Sequence, residues 1–238
     1  MKKNYKYPLV TIIIPCFNEQ FTIGKVIKKI LQTKYISKQL IVVDDGSSDS
    51  SPDIIKKFNS KIDIFIKHRN NLGKGACIKS AQKRIKGDIV LIQDADLEYN
   101  PKDYKNLIQP IAYKKYKVVY GSRVLNKNKF QNLISFSHWT RIVANHFLTV
   151  VNNIVNNQKL TDAHTCYKVF DSKLFKRIKL IENGFSFCPE VTTKISNLGY
   201  KILEVPISYN GRSYSQGKKI KFRDGIDAII TLFKYKFS

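Results

Sequence analysis

The sequence predicts an α/β protein with a doubly wound, mostly parallel sheet flanked by helices. Short runs rich in Ile and Val alternate with longer segments of helical periodicity from residue 9 to residue 123. Several of these runs stop at clusters of Asp, Asn, Gly and Ser, the residues that form turns. The chain has 238 residues, of which 43% are hydrophobic, so it can bury one sizeable core. We therefore expect a single domain over residues 1–238.

The first half supplies five strands and the helices between them. The apolar runs predict strands at residues 9–14, 40–43, 62–66, 89–92 and 118–120. Helices are predicted between these strands from apolar residues at helical spacing, turn residues and helix caps. The first covers residues 18–31, the second ends near residue 58, the third runs from about 75 to 85, and the fourth begins at residue 101.

The second half is less regular and more helical. Apolar residues three and four apart predict a long helix over 133–154 and further helices over 191–198 and 222–237. Short apolar runs predict strands at 166–170 and 201–205. We expect residues 124–238 to form a helical extension beside the sheet.

The chain is strongly basic, with 42 Lys and Arg against 18 Asp and Glu, a net charge of +24. This favours an anionic partner: nucleic acid, a phosphorylated small molecule or an anionic membrane surface. The four cysteines are far apart and form no Cys-x-x-Cys pair, which argues against structural zinc and disulfides and favours a reducing, cytoplasmic compartment. No signal peptide and no membrane-spanning run of about 18 apolar residues are expected.

Two carboxylates one residue apart, in Asp94-Ala95-Asp96, end the apolar run at residues 89–92. The carboxyl edge of a parallel sheet is where open α/β proteins bind ligands. Paired carboxylates there suit Mg²⁺ or Mn²⁺, which usually share their coordination with substrate phosphates. We expect Asp94 and Asp96 to bind such an ion, with Glu98 as a third ligand.

The first two strands end at the same edge and deliver further polar groups. Phe17 could pack on a base, and Glu19 and Asp45 could accept hydrogen bonds from a base or ribose. Arg123, Arg212 and Lys218 could neutralise phosphates. Asp44 is a turn residue or a ligand, and the histidines at 68, 138, 146 and 164 share no metal-ligand spacing, which favours surface or core roles. The glycine loop at 71–75 lacks the Walker pattern and is expected to bring a helix close to the nucleotide.

These segments, taken in order, resemble glycosyltransferase family 2, which has the GT-A fold. Within it the likeness is greatest to dolichol-phosphate and polyprenyl-phosphate sugar transferases. The matching segments are Ile12–Glu19, Val42–Asp49, Asn71–Ala76, Asp94–Asp96, Gly121–Arg123, Leu160–Asp162 and the stretch from Arg212 to Lys218. The resemblance implies that residues 1–123 bind the nucleotide and residues 124–238 form the acceptor side.

The resemblance also implies roles for single residues. The nucleotide-binding positions match Pro15, Phe17, Glu19, Val43 and Asp45. The diphosphate and metal motif matches Asp94, Ala95 and Asp96, and the basic residues that hold the donor phosphates match Arg123, Arg212 and Lys218. Glu98 stands where the family often has Gln, and Phe17 where Tyr is frequent, so the nucleotide stays open between a GDP-mannose and a UDP-glucose type of donor.

The family inverts the anomeric carbon in one displacement, with Mg²⁺ or Mn²⁺ on the leaving diphosphate. A lipid-phosphate acceptor arrives ionised, whereas a sugar hydroxyl needs a base. Members directed at hydroxyls often carry Gln/Arg-x-x-Arg-Trp, which this sequence lacks, so a polyprenyl phosphate is favoured over a saccharide hydroxyl of a surface polysaccharide. Asp162 and Glu190 are candidates for the base or for positioning the acceptor, or else for a helix cap and a structural ion pair.

Two further expectations concern the surroundings of the enzyme. The helices at 133–154 and 222–237 could pack on the domain or lie on an anionic leaflet, which would place the protein in the cytoplasm or peripherally on the cytoplasmic face of a membrane. Charge alone raises the alternative of a nucleic-acid binding protein, but no recognisable RNA motif interleaves aromatic and basic residues, so no nucleic-acid partner is expected.

Overall fold

The protein was analysed as a computed structural model, which describes residues 8–125, 136–212 and 222–237. Side chains of residues 136–142 and 222 are not described. The strands are β1 (Val10–Cys16), β2 (Lys38–Asp44), β3 (Ile64–Lys67), β4 (Ile89–Ile92), β5 (Val118–Ser122), β6 (Lys168–Asp171) and β7 (Leu203–Pro206). The helices are α1 (Ile23–Leu31), α2 (Ser51–Lys56), α3 (Lys74–Gln82), α4 (Tyr104–Ala112), α5 (Phe136–Asn156), α6 (Ser172–Arg177), α7 (Phe187–Asn197) and α8 (Phe222–Lys236).

All seven strands form one sheet in the order β3-β2-β1-β4-β6-β5-β7. Strand β1 runs parallel to β2 and β4, β2 is parallel to β3, and β5 is parallel to β7. Strand β6 runs antiparallel between β4 and β5. The mostly parallel α/β sheet predicted from the sequence is confirmed, and its flanking helices alternate with the strands.

The register of the central strands explains why the predicted site residues share one edge. Cys16, the last residue of β1, lies opposite Asp44, the last of β2. Ile13 lies opposite Ile92, the last residue of β4. Residues that follow these three strands therefore emerge side by side. The strands are buried on both faces, which accounts for their continuous Ile and Val runs.

Two predicted helix boundaries were wrong, and one short helix was not predicted. The helix predicted over 18–31 begins at Ile23, because Asn18 adopts a left-handed backbone (φ 49°) and residues 19–22 form a turn. The helix predicted from residue 191 begins at Phe187, since Pro189 lies in its first turn, where proline is tolerated. The short helix α6 was not predicted. Residues 133–135 of the predicted long helix lie outside the described residues.

Within the described residues, no helix combines the length and the apolar character needed to cross a membrane. The four cysteines are buried free thiols.

Candidate active site

Three carboxylates from two strand ends converge on the guanidinium of Arg212. Its Nη1 and Nη2 donate to the two oxygens of Glu19 at 2.9 and 3.0 Å, and Nη2 also donates to Asp96 Oδ2 at 3.1 Å. The carboxylate of Glu98 lies 3.7 Å from Nε. Glu19 follows β1, whereas Asp96 and Glu98 follow β4, so the sheet edge and the C-terminal segment together build the site.

The segment before Arg212 is fixed against the end of β4. Asn210 N donates to the carbonyl of Glu98 at 2.9 Å, and the Tyr209 hydroxyl donates to Glu98 Oε2 at 2.8 Å. Arg212 N donates to Glu98 Oε1 at 2.8 Å. Leu97 has φ 64°, a strained conformation for a residue with a side chain, and it turns Glu98 back toward Asp96. Glu98 therefore positions Arg212 by binding Tyr209, Asn210 and Arg212 itself; we call these residues the Glu98 hub.

The other member of the acidic pair has its own cation. Lys74 Nζ, at the start of α3, donates to Asp94 Oδ1 at 2.6 Å. Burial is the largest influence on Asp94 and would raise its pKa, but the charge of Lys74, the hydrogen bonds from Cys166 and Lys74 and the charge of Arg123 together hold this pKa below its usual range. Burial, followed by the negative charges of Asp94 and Glu98, raises the pKa of Asp96 to about 7. The surroundings thus lower the pKa of Asp94 and raise the pKa of Asp96.

A second arginine is held by a buried carboxylate. Asp162 is fully buried and accepts from Arg123 Nε at 2.6 Å, from its Nη2 at 2.7 Å and from its backbone N at 3.1 Å. Asn145 of α5 donates to Asp162 at 3.3 Å. Burial, the largest single influence, would raise the pKa of Asp162, yet the Arg123 charge together with the hydrogen bonds from Arg123 and Asn145 holds it below the usual range. The guanidinium of Arg123 lies 5.0 Å from the centre of the Tyr209 ring, which places it beside the Glu98 hub.

Asp45 follows β2 and its carboxylate makes hydrogen bonds to the loop that opens α3. Its carboxylate accepts from the backbone N of Leu72 at 3.0 Å and of Gly73 at 2.7 Å. His68 Nδ1 lies 2.7 Å from Asp45 Oδ1, and His68 Nε2 lies 2.9 Å from Ser80 Oγ. Asp45 therefore fixes the glycine loop that opens α3, and with it the position of the lysine that follows Gly73.

Asp45, His68 and Cys77 also offer ligand atoms within 4.8 Å of one another, a spacing that a metal ion could use. Burial and the neighbouring Asp45 raise the pKa of the Cys77 thiol well above its usual value. Because the thiol is protonated and His68 is hydrogen-bonded on both ring nitrogens, these residues are better explained as a network that anchors Asp45. Their wide separation in the sequence did not predict this cluster.

Apart from Glu190 and Lys218, the remaining predicted residues lie at the shared edge of the sheet. Pro15 and Phe17 are half-buried at the end of β1, and Val43 and Ala95 are buried. Lys218 lies outside the described residues. Glu190 is buried in α7 and accepts from Lys194 and from the backbone N of residues 181 and 182, which is a structural ion pair. Asp44 accepts from Ser47 N at 3.3 Å, the contact of a turn residue.

Lys74, His68 and Tyr209 are parts of the site that sequence reasoning missed. Lys74 stands between two glycines at a helix start, a position that could have drawn attention to it. His68 and Tyr209 carry no local signal, since their contacts span 23 and 111 residues of sequence.

The acidic cluster fits a divalent cation. Four carboxylates, those of Glu19, Asp94, Asp96 and Glu98, meet two cationic side chains, so an excess of negative charge remains when all are ionised. The buried Nε of Arg212 has no hydrogen-bond partner among the residues that the structure describes, so this nitrogen remains able to donate to an anionic group such as a phosphate. Hard carboxylate oxygens are the donors that Mg²⁺ and Mn²⁺ prefer.

Residues 11–179 match the sequence profile of the family described as Glycosyl transferase family 2. The chain belongs to this family. This glycosyltransferase is 27% identical over 247 residues to the UDP-N-acetylglucosamine–dolichyl-phosphate N-acetylglucosaminyltransferase of Methanococcus voltae, covering 96% of each chain. It is 25% identical to a dolichyl-phosphate beta-glucosyltransferase of Trichomonas vaginalis, covering 94% of this chain and 72% of that one. It is also 26% identical to the poly-beta-1,6-N-acetyl-D-glucosamine synthase of Staphylococcus aureus, covering 84% of this chain and 48% of that one.

Solved structures confirm the GT-A fold of this family 2 glycosyltransferase. Mannosyl-3-phosphoglycerate synthase from Rubrobacter xylanophilus superposes with a TM-score of 0.71 at 17% identity, covering 96% of this chain and 72% of that one. Glucosyl-3-phosphoglycerate synthase from Mycobacterium tuberculosis, solved with Mn²⁺ and UDP-glucose, gives a TM-score of 0.71 at 17% identity, covering 97% and 79%. The prediction of a GT-A glycosyltransferase is confirmed.

Proposed function

We propose that this glycosyltransferase moves a sugar from a nucleotide-sugar donor to a polyprenyl phosphate, with inversion at the anomeric carbon and with Mg²⁺ or Mn²⁺ as cofactor. The state of Asp162 carries the choice of acceptor. This carboxylate is buried, accepts three hydrogen bonds from Arg123 and has a depressed pKa, so it is a poor proton acceptor. A phosphate acceptor is already ionised near neutral pH and needs no base.

Asp94, Asp96 and Glu98 would hold the divalent ion. When bound, such an ion stabilises the charge that develops on a departing diphosphate. The chain's own cations supply the rest of that stabilisation. Arg212 lies among the carboxylates, Lys74 lies on Asp94, and Lys218 follows Arg212 in the sequence. Preorganised cations of this kind act most strongly in a site shielded from water.

Arg123 would bind the incoming acceptor phosphate or the donor diphosphate. Asp162 holds the guanidinium through Nε and Nη2, and the Tyr209 ring lies beside it, so its orientation is set before substrate arrives. A fixed guanidinium matches phosphate geometry better than a flexible lysine would. Asp162 is thus assigned as the residue that positions Arg123.

The donor's nucleoside would bind at the ends of β1 and β2. Pro15 and Phe17 line the end of β1, Val43 lies opposite Pro15 in the register, and Ala95 follows β4. Glu19 and Asp45 would contact the ribose or base directly or through the loops they anchor. Uridine donors come first for testing, because the Methanococcus voltae relative is named for UDP-N-acetylglucosamine and the Mycobacterium tuberculosis structure holds UDP-glucose. GDP-mannose is the alternative.

The reaction balances without an external base. An oxygen of the acceptor phosphate attacks the anomeric carbon, the bond from that carbon to the donor diphosphate breaks, and the nucleoside diphosphate leaves with the electron pair. The product is a sugar linked to the polyprenyl phosphate. We place this reaction in the cytoplasm, at the cytoplasmic face of a membrane. The two relatives named for dolichyl-phosphate transfer support this acceptor.

Transfer to a saccharide hydroxyl is the second candidate, favoured by the match to the poly-beta-1,6-N-acetyl-D-glucosamine synthase. It would need a carboxylate free to accept the hydroxyl proton. Asp162, the acidic side chain that binds Arg123 directly, is engaged on both oxygens, so the phosphate acceptor is preferred.

The test is a transfer assay with purified protein, Mn²⁺ or Mg²⁺, a panel of UDP- and GDP-sugars and a short, water-soluble polyprenyl phosphate. We expect a glycosylated lipid phosphate that depends on the metal and disappears in Asp96→Asn. A matched control, Asp63→Asn, alters a carboxylate that caps the start of β2 away from the site. Transfer to oligosaccharides but not to the polyprenyl phosphate would contradict the proposal.

A further inference from the structure

Two neighbouring helices in the second half of the chain each present a row of exposed apolar side chains. On α5 the row is Val143, Phe147, Val150 and Ile154. The second row is Ile226, Ile230 and Phe233 of α8, continued by Phe237 directly after the helix. The spacing is the same in both rows: four, three and four residues, which puts each row on one face of its helix. Phe147 is 57% exposed, Ile154 77% and Phe237 83%. Single exposed apolar residues are ordinary, but aligned rows mark an interaction surface.

The opposite faces of these helices already pack on the protein. Thr149, Asn152 and Asn156 of α5 are buried, as are Ala228, Leu232 and Tyr235 of α8. The two helices contact each other, and Gly225 of α8 faces Leu148 of α5. The exposed rows are therefore not needed for the core, and we call them together the α5–α8 face.

One end of the α5–α8 face lies on the helix that also contacts the active site. Asn145 of α5 donates to the Asp162 carboxylate that holds Arg123, while Val143 and Phe147, each two residues away and on the outward side of the helix, are exposed. An apolar surface on the outer side of a helix that helps to position this arginine suits an acceptor whose phosphate is polar and whose chain is buried in lipid.

The net charge of the protein favours an anionic membrane over a second copy of the chain as the partner of this face. The protein carries a net charge of +24, so two copies brought face to face would repel each other. An anionic leaflet has the complementary charge, and basic side chains near its surface strengthen binding. Arg223 is exposed near the start of α8, next to Asp224, and Lys236 lies in its last turn, where the neighbouring Lys234 is paired with Glu182. Such a pattern of apolar rows and basic residues is typical of helices that lie in a membrane interface.

We propose that the α5–α8 face docks the enzyme on an anionic lipid leaflet, with the apolar rows inserted at the level of the headgroups and the acceptor side of the site turned toward the membrane. The inference rests on the proposed function for its biological meaning, since a lipid acceptor would be met there. Vesicle binding itself requires neither transfer nor donor, so the two can fail separately.

The test is cosedimentation of the full chain with vesicles of phosphatidylcholine, with and without phosphatidylglycerol, in the absence of nucleotide and polyprenyl phosphate. We expect binding only to the anionic vesicles, weakening as salt screens the charge. Phe147→Asp with Phe233→Asp should lower the partition coefficient by about tenfold or more, because both rings would otherwise leave water. The matched control, Tyr113→Asp with Tyr116→Asp, makes the same charge change at exposed positions after α4 and should bind like the wild type.

Circular dichroism would verify that the variants fold, and Val150→Ser with Ile230→Ser offers a milder second pair. The face variants should keep the wild-type rate on a short soluble acceptor and lose it only on a long-chain acceptor in vesicles. Failure of the wild type to bind anionic vesicles at low salt would overturn the inference, as would full binding by both face variants. A wild-type dimer that the face variants dissociate would assign the face to a second copy instead. Vesicle binding without any sugar transfer would leave the docking face standing and remove the proposed reaction.

Discussion

The buried ion pair between Asp162 and Arg123 gives the sharpest test of how the site is organised. The proposed role of Asp162 is to position Arg123, whereas a catalytic base would have to accept a proton from the acceptor. The change Asp162→Asn keeps the shape of the side chain and removes its charge. It also turns an amide group toward a guanidinium that now donates to both oxygens of Asp162.

The magnitude follows from burial. Asp162 is fully buried, and the Arg123 side chain is 20% exposed. Breaking a buried ion pair by removing one partner typically costs about 3–5 kcal/mol, because the other charge stays behind. The partial exposure of Arg123 lets water reach it, so we expect a loss near the lower end, about 3 kcal/mol. For a chain of this size that loss lowers the melting temperature by roughly 6–12 °C.

The pH dependence has a definite sign. The folded-state pKa of Asp162 lies below its usual range, so the pair stabilises the fold above the unfolded pKa of about 3.9 and loses that effect as pH falls through the folded value. The difference in stability between wild type and Asp162→Asn should therefore be constant from neutral pH to about pH 5. It should shrink only in more acidic solution.

A double-mutant cycle separates the two roles. Urea unfolding and kcat/KM would be measured for Asp162→Leu, Arg123→Met and the double variant. If Asp162 acts through Arg123, the single variants each lose activity, the double variant loses little more than either, and its stability recovers because no unpaired charge remains buried. The reasoning is refuted if Asp162→Asn keeps its stability while kcat collapses and the acid limb of the pH–rate profile disappears. Additive losses in the cycle would refute it as well.

Three further predictions concern other parts of the site. The proton on Asp96, whose pKa is raised to about 7, competes with a cation, so Mn²⁺ affinity followed by electron paramagnetic resonance should rise as pH increases through 7, and Asp96→Asn should flatten that rise. His68→Ala removes one hydrogen bond to Asp45 and should raise the donor KM by about fivefold to tenfold with little change in kcat; an unchanged KM would exclude the anchoring role. Gly73→Ala, at φ 100° against a neighbouring backbone, should destabilise by about 1–3 kcal/mol or more in urea unfolding, whereas Gly184→Ala, with open space around it, should not.

The central strands of the sheet could be predicted because each is specified by a pattern within a short run of the sequence. Buried parallel strands need apolar residues on both faces, and the runs at residues 9–14 and 89–92 carry that pattern. The turn residues after them then put Glu19 and Asp96 at one edge. Local patterns could not predict the order in which the strands of the second half enter the sheet. Strand β6 inserts antiparallel between β4 and β5, as the pairing of both Val169 and Phe170 with the two neighbouring strands shows.

The partners of the site residues could not be predicted for the same reason. Arg212 was selected as a phosphate-binding cation, yet its contact with Glu19 joins residues 193 positions apart. Asp162 was left open between a base and a structural residue, and its bidentate contact with Arg123 is a matter of side-chain geometry. Lys74 was passed over because the glycines on either side of it explained the loop without it.

The position of Arg212 also constrains how the donor and its metal can bind. The guanidinium bridges Glu19 and Asp96, so a divalent ion on Asp96 competes with it for the same oxygens. An ion alone would displace one cation with another and gain little, because the buried guanidinium would lose its partners. A nucleoside diphosphate changes that balance, since its phosphates bring the negative charge that a displaced Arg212 can bind. Arg212 would therefore contribute twice: it would neutralise the carboxylates before the donor arrives, and it would become available to the leaving group once metal and donor are bound together.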